Sequence, residues 1–321
     1  MRPARVFIAG AAGTLGRPLS RALVARGHAV VGLTRDAARV APIEEAGARG
    51  AVGDVLDADG LRVLLQDARP DVVVHALTAL PPGGPARAED LAATNRVRID
   101  GTRHLIAAAV AAGARAVVAE SFLAVYGPAR VAEALSEEAP CAEAGDGPLR
   151  DAVLALRELE RQLDEAAATP GLRTVALRFG SLYGPGVPAT RALVAGLRAG
   201  TVAIVADADG VLPFVHLDDA VAALVAAVEH QSARGAFNVV DDEPIGIPDF
   251  IRQGADALAA RTPAAITRAE LGARAPVPAD LMTWQIRLSN AKATRELEWR
   301  PRFPRTRDGW RDLAARRDAT A

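Results

Sequence analysis

The strongest constraint on this chain lies near its start, where Arg5-Val-Phe-Ile-Ala breaks into Gly10-Ala-Ala-Gly13-Thr14-Leu15-Gly16. A short apolar run followed by three glycines spaced three apart reads as a strand, a tight turn and the start of a helix. Gly10 turns the chain where a side chain would clash, Gly13 lets the backbone approach a diphosphate, and Gly16 lets the helix lie close to the strand. The N–H groups and dipole at that helix start favour an anion. Alone, such a triplet also fits a strand-to-helix turn without a ligand, so the rest of the chain decides.

Leu15, Leu19, Leu23 and Val24 recur at helical spacing up to Gly27, and the segment 29–33 reads as a buried strand. A third strand ends near Asp54, a helix carries Leu61, Leu64 and Leu65, and Asp71-Val-Val-Val-His-Ala is a β-branched fourth strand. Helix 101–112, strand 116–119, helix 148–167 and strand 174–178 continue the alternation. This predicts an α/β fold, a Rossmann-type doubly wound parallel sheet covered on both faces. Beyond Gly180, prolines such as Pro185, Pro213, Pro248, Pro276 and Pro304 punctuate shorter elements, which predicts a smaller mixed α/β lobe. The expected organisation is a dinucleotide-binding lobe over 1–180, to which part of 213–240 returns, and a mainly substrate-binding lobe over 181–321.

In such sheets ligands bind beyond the carboxyl ends of the strands. The expected cleft is lined by residues 10–16, Thr34 and Arg35, Asp54, 76–78, 120–123 and 179–182.

Charge narrows the partner. The 38 basic and 39 acidic residues leave a net charge of -1 without long blocks of one sign, which argues against nucleic acid or an anionic membrane and for a small molecule. Cys141 is the only cysteine, so an internal disulfide and a cysteine-based metal cluster are excluded, and the thiol reads as an incidental loop residue in a reducing compartment. No His, Asp and Glu grouping has metal-ligand spacing. The strongly apolar stretch 220–228 is far short of the roughly 20 residues a membrane helix needs. With no targeting segment recognised, the expectation is a cytoplasmic protein whose oligomeric state the sequence leaves open.

At this point the chain resembles the extended short-chain dehydrogenase/reductase family, the epimerase/dehydratase-like group, over essentially its whole length. The landmarks stand in order: the glycine turn, Gly53-Asp54, Val72-Val-Val-His-Ala76, Gly101-Thr102, Val125-Tyr-Gly127, Leu182-Tyr-Gly-Pro-Gly186, Phe214-Val-His-Leu-Asp-Asp219 and Ser289-Asn-Ala-Lys292. The resemblance implies a bound nicotinamide dinucleotide held by Gly10, Gly13, Thr14, Leu15, Gly16, Thr34, Arg35, Asp54, Val55, Ala76, Leu77, Thr78, Phe179 and Ser181. Asp54 matches the position that holds the adenine amino group. Where NAD enzymes carry an acidic residue for the ribose hydroxyls, this chain has Thr34-Arg35, and a guanidinium pairs with a 2′-phosphate, so NADP(H) is expected over NAD(H). Asp36 next door is the alternative ribose contact.

The family's catalytic pattern fails here. A Ser or Thr is expected four residues before the Tyr of Val-Tyr-Gly, and Phe122 stands there; Arg98 replaces an Asn three residues before Gly-Thr. The Tyr-x-x-x-Lys pair is missing from the helix after Pro148, and the sole lysine, Lys292, lies far along the chain. No catalytic residue is identifiable, with Ser121 the weak candidate. Expected substrate contacts are Ser121, Phe122, Val153, Ser181 and Leu182, an apolar wall suited to a flat aromatic compound. The chain looks like the atypical tyrosine-less branch that reduces aromatic polyketides of antibiotic biosynthesis. This implies an NADPH-dependent ketoreductase acting on a bulky aromatic, angucyclinone-like ketone, with the proton supplied by substrate or water. A non-catalytic NADP(H)-binding sensor or scaffold is the alternative, and a nucleotide-sugar epimerase/dehydratase is less favoured because it needs the missing base. Tyr183, His75 and His216 read as structural.

Overall fold

The computed structural model describes residues 3–81 and 83–318. In chain order the strands are β1 (Arg5–Ala9), β2 (Ala29–Thr34), β3 (Arg49–Val52), β4 (Val72–His75), β5 (Ala116–Phe122), β6 (Arg173–Phe179), β7 (Ser181–Tyr183), β8 (Ala203–Val205), β9 (Phe214–His216), β10 (Gly235–Val239) and β11 (Ala264–Ile266). The helices are α1 (Gly16–Ala25), α2 (Val40–Glu44), α3 (Ala58–Ala68), α4 (Ala92–Arg96), α5 (Thr102–Ala111), α6 (Arg150–Ala166), α7 (Pro188–Ala199), α8 (Leu217–Glu229), α9 (Ile247–Ala257), α10 (Arg268–Arg274), α11 (Pro276–Leu281), α12 (Ala291–Glu296) and α13 (Thr306–Asp318).

Seven strands form one sheet in the order β10-β6-β5-β4-β1-β2-β3, and every pair in it is parallel. The order reverses between β1 and β4, which places a ligand-binding crevice at their carboxyl ends. Alternate side chains of the central strands feed two apolar layers, as period-two geometry requires. Ile8, Val74, Val118 and Leu177 pack with Leu19 and Leu23 of α1 and Leu224 of α8, while Phe7, Val73 and Val117 pack with Leu61, Leu105, Leu159 and Leu163 of α3, α5 and α6. Each fully buried leucine contributes about 1.5–3 kcal/mol relative to exposure.

The sequence pattern placed α6 over 148–167, close to its observed span. It stopped β5 at Ala119, however, because Glu-Ser-Phe breaks the apolar run; the ladder with β6 carries on to Phe122 opposite Phe179. α6 serves two cores. Its later turns face the sheet through Leu159 and Leu163, and its first turns give Leu149, Val153 and Leu156 to a second cluster with Tyr126, Tyr183, Phe214, Phe250, Trp284 and Trp310. The chain comes back from β9 through α8 to β10, which adds the edge strand beside β6.

Candidate active site

The glycine turn is sterically obligatory. Gly10 sits at φ +95°, and a Cβ there would lie 2.3 Å from the Ala76 carbonyl oxygen. A Cβ on Gly16 would lie 2.1 Å from the Gly10 carbonyl oxygen and 2.6 Å from Ala11 Cα, so α1 packs against the turn at a distance only glycine permits. Gly13 differs. Its N–H donates to the Gly10 carbonyl at 2.9 Å, and that oxygen, 3.1 Å away, is all that a Cβ would meet, which leaves its outer side open. α1 begins with no side-chain cap and no acidic residue in its first turn, so its free N–H groups and dipole point at the turn. This cradle fits the diphosphate of a dinucleotide. Thr14 stands half-buried on the rim. The Leu15 side chain is buried in the core, which leaves its backbone as the part of the residue that faces the turn.

At the end of β2, Thr34 is buried and its hydroxyl accepts from the Asp36 N–H. The Asp36 carboxylate accepts from the Ala38 N–H at 2.9 Å and starts the short 3-10 turn Ala37–Arg39, a local use that competes with a ribose contact. Arg35 is exposed and has no hydrogen bond or ion pair among the described residues. The same turn brings Arg39 back over the glycines, where its guanidinium donates to the Ala12 carbonyl at 3.1 Å. Sequence reasoning missed Arg39; a second arginine four residues after Arg35 was the available signal.

Asp54 is half-buried, with one carboxylate oxygen accepting from the Leu56 N–H at 2.9 Å. Val55 is buried against Gly101, with its carbonyl 3.0 Å from His104 Nδ1, so its side chain belongs to the core and not to a ligand contact. After β4, Ala76 is buried over Gly10, Leu77 is half-buried with its N–H donating to His75 Nδ1, and Thr78 is exposed. Phe179, another expected cofactor contact, is 3% exposed and packed into the sheet core, whereas Ser181 and Leu182 on β7 remain half-buried.

The reacting end shows the larger corrections. Ser121 is 1% exposed, and its hydroxyl donates to Glu160 of α6 at 2.6 Å. Glu160 in turn holds Arg178 of β6 through Nη2 at 2.7 Å and Nε at 3.0 and 3.1 Å. Arg178 continues to the Tyr126 hydroxyl at 2.8 Å, which donates to Asn238 Oδ1 at 2.8 Å. Ser121 is thus part of an inner network tying β5, β6, β10 and α6 together, with its hydroxyl committed to Glu160. Val153 is fully buried in the second core, four residues after the equally buried Leu149, so it lies behind the cleft wall instead of on it. Phe122 alone of the expected apolar contacts on β5 and α6 keeps a half-exposed face. Lys292, the only lysine, donates to the Ala236 carbonyl at 2.8 Å and lies over the Phe237 ring, which fixes α12 to β10.

Two charged groups remain in this region. Glu120 shares the strand face of Phe122, since alternate residues point the same way. Pairing of β5 with β4 ends at Ala119 opposite His75, so one edge of β5 is open from Glu120 onward. Arg98 lies in a π-turn, Val97–Gly101, between α4 and α5, whose Ile99 carbonyl accepts from Gln162 of α6 at 3.1 Å. Glu120 and Arg98 are both half-buried and attract each other electrostatically, yet neither makes a hydrogen bond or close ion pair among the described residues. Burial pushes the Glu120 carboxyl up to about 7, with Arg98 opposing, and lowers Arg98 to about 10. Among the described residues no grouping of His, Cys, Asp and Glu would hold a metal ion, and no helix is long and apolar enough to cross a membrane.

The crevice at the β1/β4 reversal and the open cradle at the glycine turn together define a dinucleotide-binding fold. Residues 6–240 match the family described as the NAD dependent epimerase/dehydratase family, and the chain belongs to it. It is therefore an oxidoreductase-type enzyme of that family. The chain is 40% identical over 316 residues to a Streptomyces protein named 3-diazoavenalumate denitrifying reductase, covering 95% of this chain and 98% of the relative. The UDP-glucose 4-epimerase of Thermotoga maritima shares the fold with a TM-score of 0.81 at 18% identity, covering 98% and 99% of the two chains. The UDP-glucuronic acid 4-epimerase of Bacillus cereus, solved with UDP-glucuronic acid and NAD, gives 0.79 at 22% identity over 98% and 99%.

Proposed function

We propose that this protein is an NADP(H)-dependent reductase of a bulky, mostly apolar aromatic substrate, working without a tyrosine–lysine pair. The observation that carries the reading is the state of the region that holds the family's acid pair: Leu149 and Val153 are buried in the second core, the Ser121 hydroxyl is committed to Glu160, and Phe122 is left half-exposed. A half-exposed aromatic ring favours a flat ring over a hydrated sugar. Gly10, Gly13 and Gly16 hold the diphosphate, and Arg35 with Arg39 supplies two guanidinium groups for a 2′-phosphate, which favours NADP(H) over NAD(H).

NADPH held there would supply a hydride; replacement of dinitrogen in an arenediazonium by that hydride needs no proton, whereas reduction of a ketone needs one. The relative's name specifies a diazo acid anion and the reductive loss of nitrogen, and an acceptor of that kind suits a site stripped of the family's acid. A diazo-bearing aromatic compound is therefore the favoured substrate. An aromatic polyketide ketone is the second reading, favoured by Glu120, whose carboxyl titrates near neutrality at the cleft. The residues of the chain orient the ring, exclude water with Phe122 and Leu182, and hold the dinucleotide.

The test is turnover of NADPH by the purified protein against arenediazonium salts, diazo-oxo arenes and aromatic ketones, with dinitrogen measured directly. Dinitrogen released in step with NADPH loss supports the favoured acceptor, and alcohol formation supports the second. Tight NADPH binding without oxidation by any of them leaves the sensor or scaffold alternative in place.

A further inference from the structure

We propose that Arg98 and Glu120 form a subsite for an oxygen on the substrate ring, with Arg98 donating a hydrogen bond to that oxygen and Glu120 exchanging a proton with it. The inference rests on the reductase reading for its chemistry but on separate residues for its geometry. A half-buried guanidinium has five N–H donors to satisfy, and a half-buried carboxylate two acceptor oxygens. Here the guanidinium on the π-turn and the carboxylate on β5 attract each other electrostatically, and neither makes a hydrogen bond or close ion pair among the described residues. Neither group's polar atoms are sealed in the core, so both remain open to a ligand. A group that accepts from one and donates to the other satisfies both, and a phenolic or carbonyl oxygen does this where a hydrocarbon does not.

The location suits a reacting group. Glu120 precedes by two residues the position where the family's hydroxyl stands, on the same strand face and at an edge that β4 leaves open. The π-turn is anchored from behind by Gln162 on α6, and such insertions in a helix often sit at functional sites. The facing charges are few: Arg98 is the charged group Glu120 feels, and His75, next to Arg98, stays neutral because burial holds it down to about 4.

The chemistry balances in either acceptor class. On a ketone, the Glu120 proton goes to the carbonyl oxygen as a C–H bond forms at carbon, NADPH is oxidised to NADP⁺, and the carboxylate takes a new proton from water. On a ring-oxo diazo compound the same proton goes to the ring oxygen; a C–H bond replaces the C–N bond, dinitrogen leaves and NADPH is oxidised. Glu120 thus takes over proton exchange from a residue on a different element.

The test separates this subsite from turnover. Binding of 2-naphthol and of 2-methoxynaphthalene to the NADPH-loaded protein is measured by calorimetry for wild type, Glu120→Gln and Arg98→Met, with folding checked by thermal melting. The expected result is a preference of about tenfold for the naphthol in wild type, the scale of one good hydrogen bond, lost in Arg98→Met and reduced in Glu120→Gln. Equal binding of the two probes to wild type, or an unchanged preference in both variants, overturns the proposal. With a ketone or ring-oxo diazo compound that is turned over, Glu120→Gln should lower kcat by about 10²–10⁴ with little change in KM and remove the fall in rate as pH rises through about 7. A retained rate and pH profile overturns the proton role. If the naphthol preference is present and no substrate is reduced, the subsite stands and the reductase reading fails.

Discussion

At the residue scale, the proposed cofactor site divides between the glycines, which make room for the diphosphate, and the two arginines after β2, offered to a 2′-phosphate. Gly10 and Gly16 have no room for a methyl group, so Gly16→Ala should abolish dinucleotide binding and destabilise the fold by about 1–3 kcal/mol as α1 is pushed from the turn. Calorimetric binding and thermal melting read both effects. Arg35→Ala should weaken NADPH binding by about tenfold and leave NADH binding nearly unchanged, since a phosphate–guanidinium contact exists only for the former. An unchanged NADPH:NADH ratio in Arg35→Ala and Arg39→Ala together would remove the ground for NADP(H). Ser121→Ala deletes one donor to Glu160, so it should lower stability by about 1–2 kcal/mol and leave most of the turnover. Complete loss of activity with a normal melting profile would restore Ser121 as a catalytic residue.

At the element scale, α6 explains why the familiar acid pair cannot be added back by two substitutions. Its first turns are committed to the second apolar core, where Leu149, Val153 and Leu156 pack beside Tyr126 and Trp284. Val153→Lys would place an ammonium where the present side chain is fully buried, and is expected to destabilise the protein by more than about 3 kcal/mol. Soluble expression and a denaturation midpoint close to wild type would show that the cleft reaches this position after all. The Glu160–Arg178 pair acts at the same scale, because it ties α6 to β6 and, through the Ser121 hydroxyl, holds the extended end of β5. Breaking a buried pair by removing one partner typically costs about 3–5 kcal/mol. Its loss should therefore loosen the strand end that carries Glu120 and Phe122.

Across the whole molecule, buried titratable groups give stability an unusual dependence on pH. His75 and His216 are held down to about 4 by burial, so as pH falls from about 6.5 toward 4 the unfolded chain takes up protons that the folded protein refuses, and stability falls. Asp241 acts in the opposite sense: burial raises its carboxyl to about 8, so the folded state keeps a proton that the unfolded chain has lost. Its contribution, fully present below the unfolded carboxylate value, is lost as pH rises to about 8, at up to about 1.4 kcal/mol per pH unit. Above pH 6.5 the histidines no longer compensate. Denaturant melts of the ligand-free protein should show stability declining from pH 6.5 to 8, and Asp241→Asn should flatten that limb; an unchanged slope in the variant would assign it to other groups.

The amino-acid sequence by itself determined the alternating sheet, the glycine turn and the absence of the tyrosine–lysine pair, because each is set by local periodicity, by a backbone that only glycine permits, or by residue identity alone. The length of β5 was not legible, since Glu120 and Ser121 interrupt the apolar pattern and only pairing with β6 shows that the strand continues. For the same reason the burial of the Leu15, Val55, Ser121, Val153 and Phe179 side chains was not legible: motif position gives the neighbourhood of a residue, and packing decides whether its side chain lies at the surface or in the core. Arg98 was visible as an odd replacement and Glu120 as a cleft residue, 22 positions apart in the chain. Only the tertiary fold brings them within electrostatic reach of each other, because the π-turn and the open edge of β5 belong to elements that no local sequence rule relates.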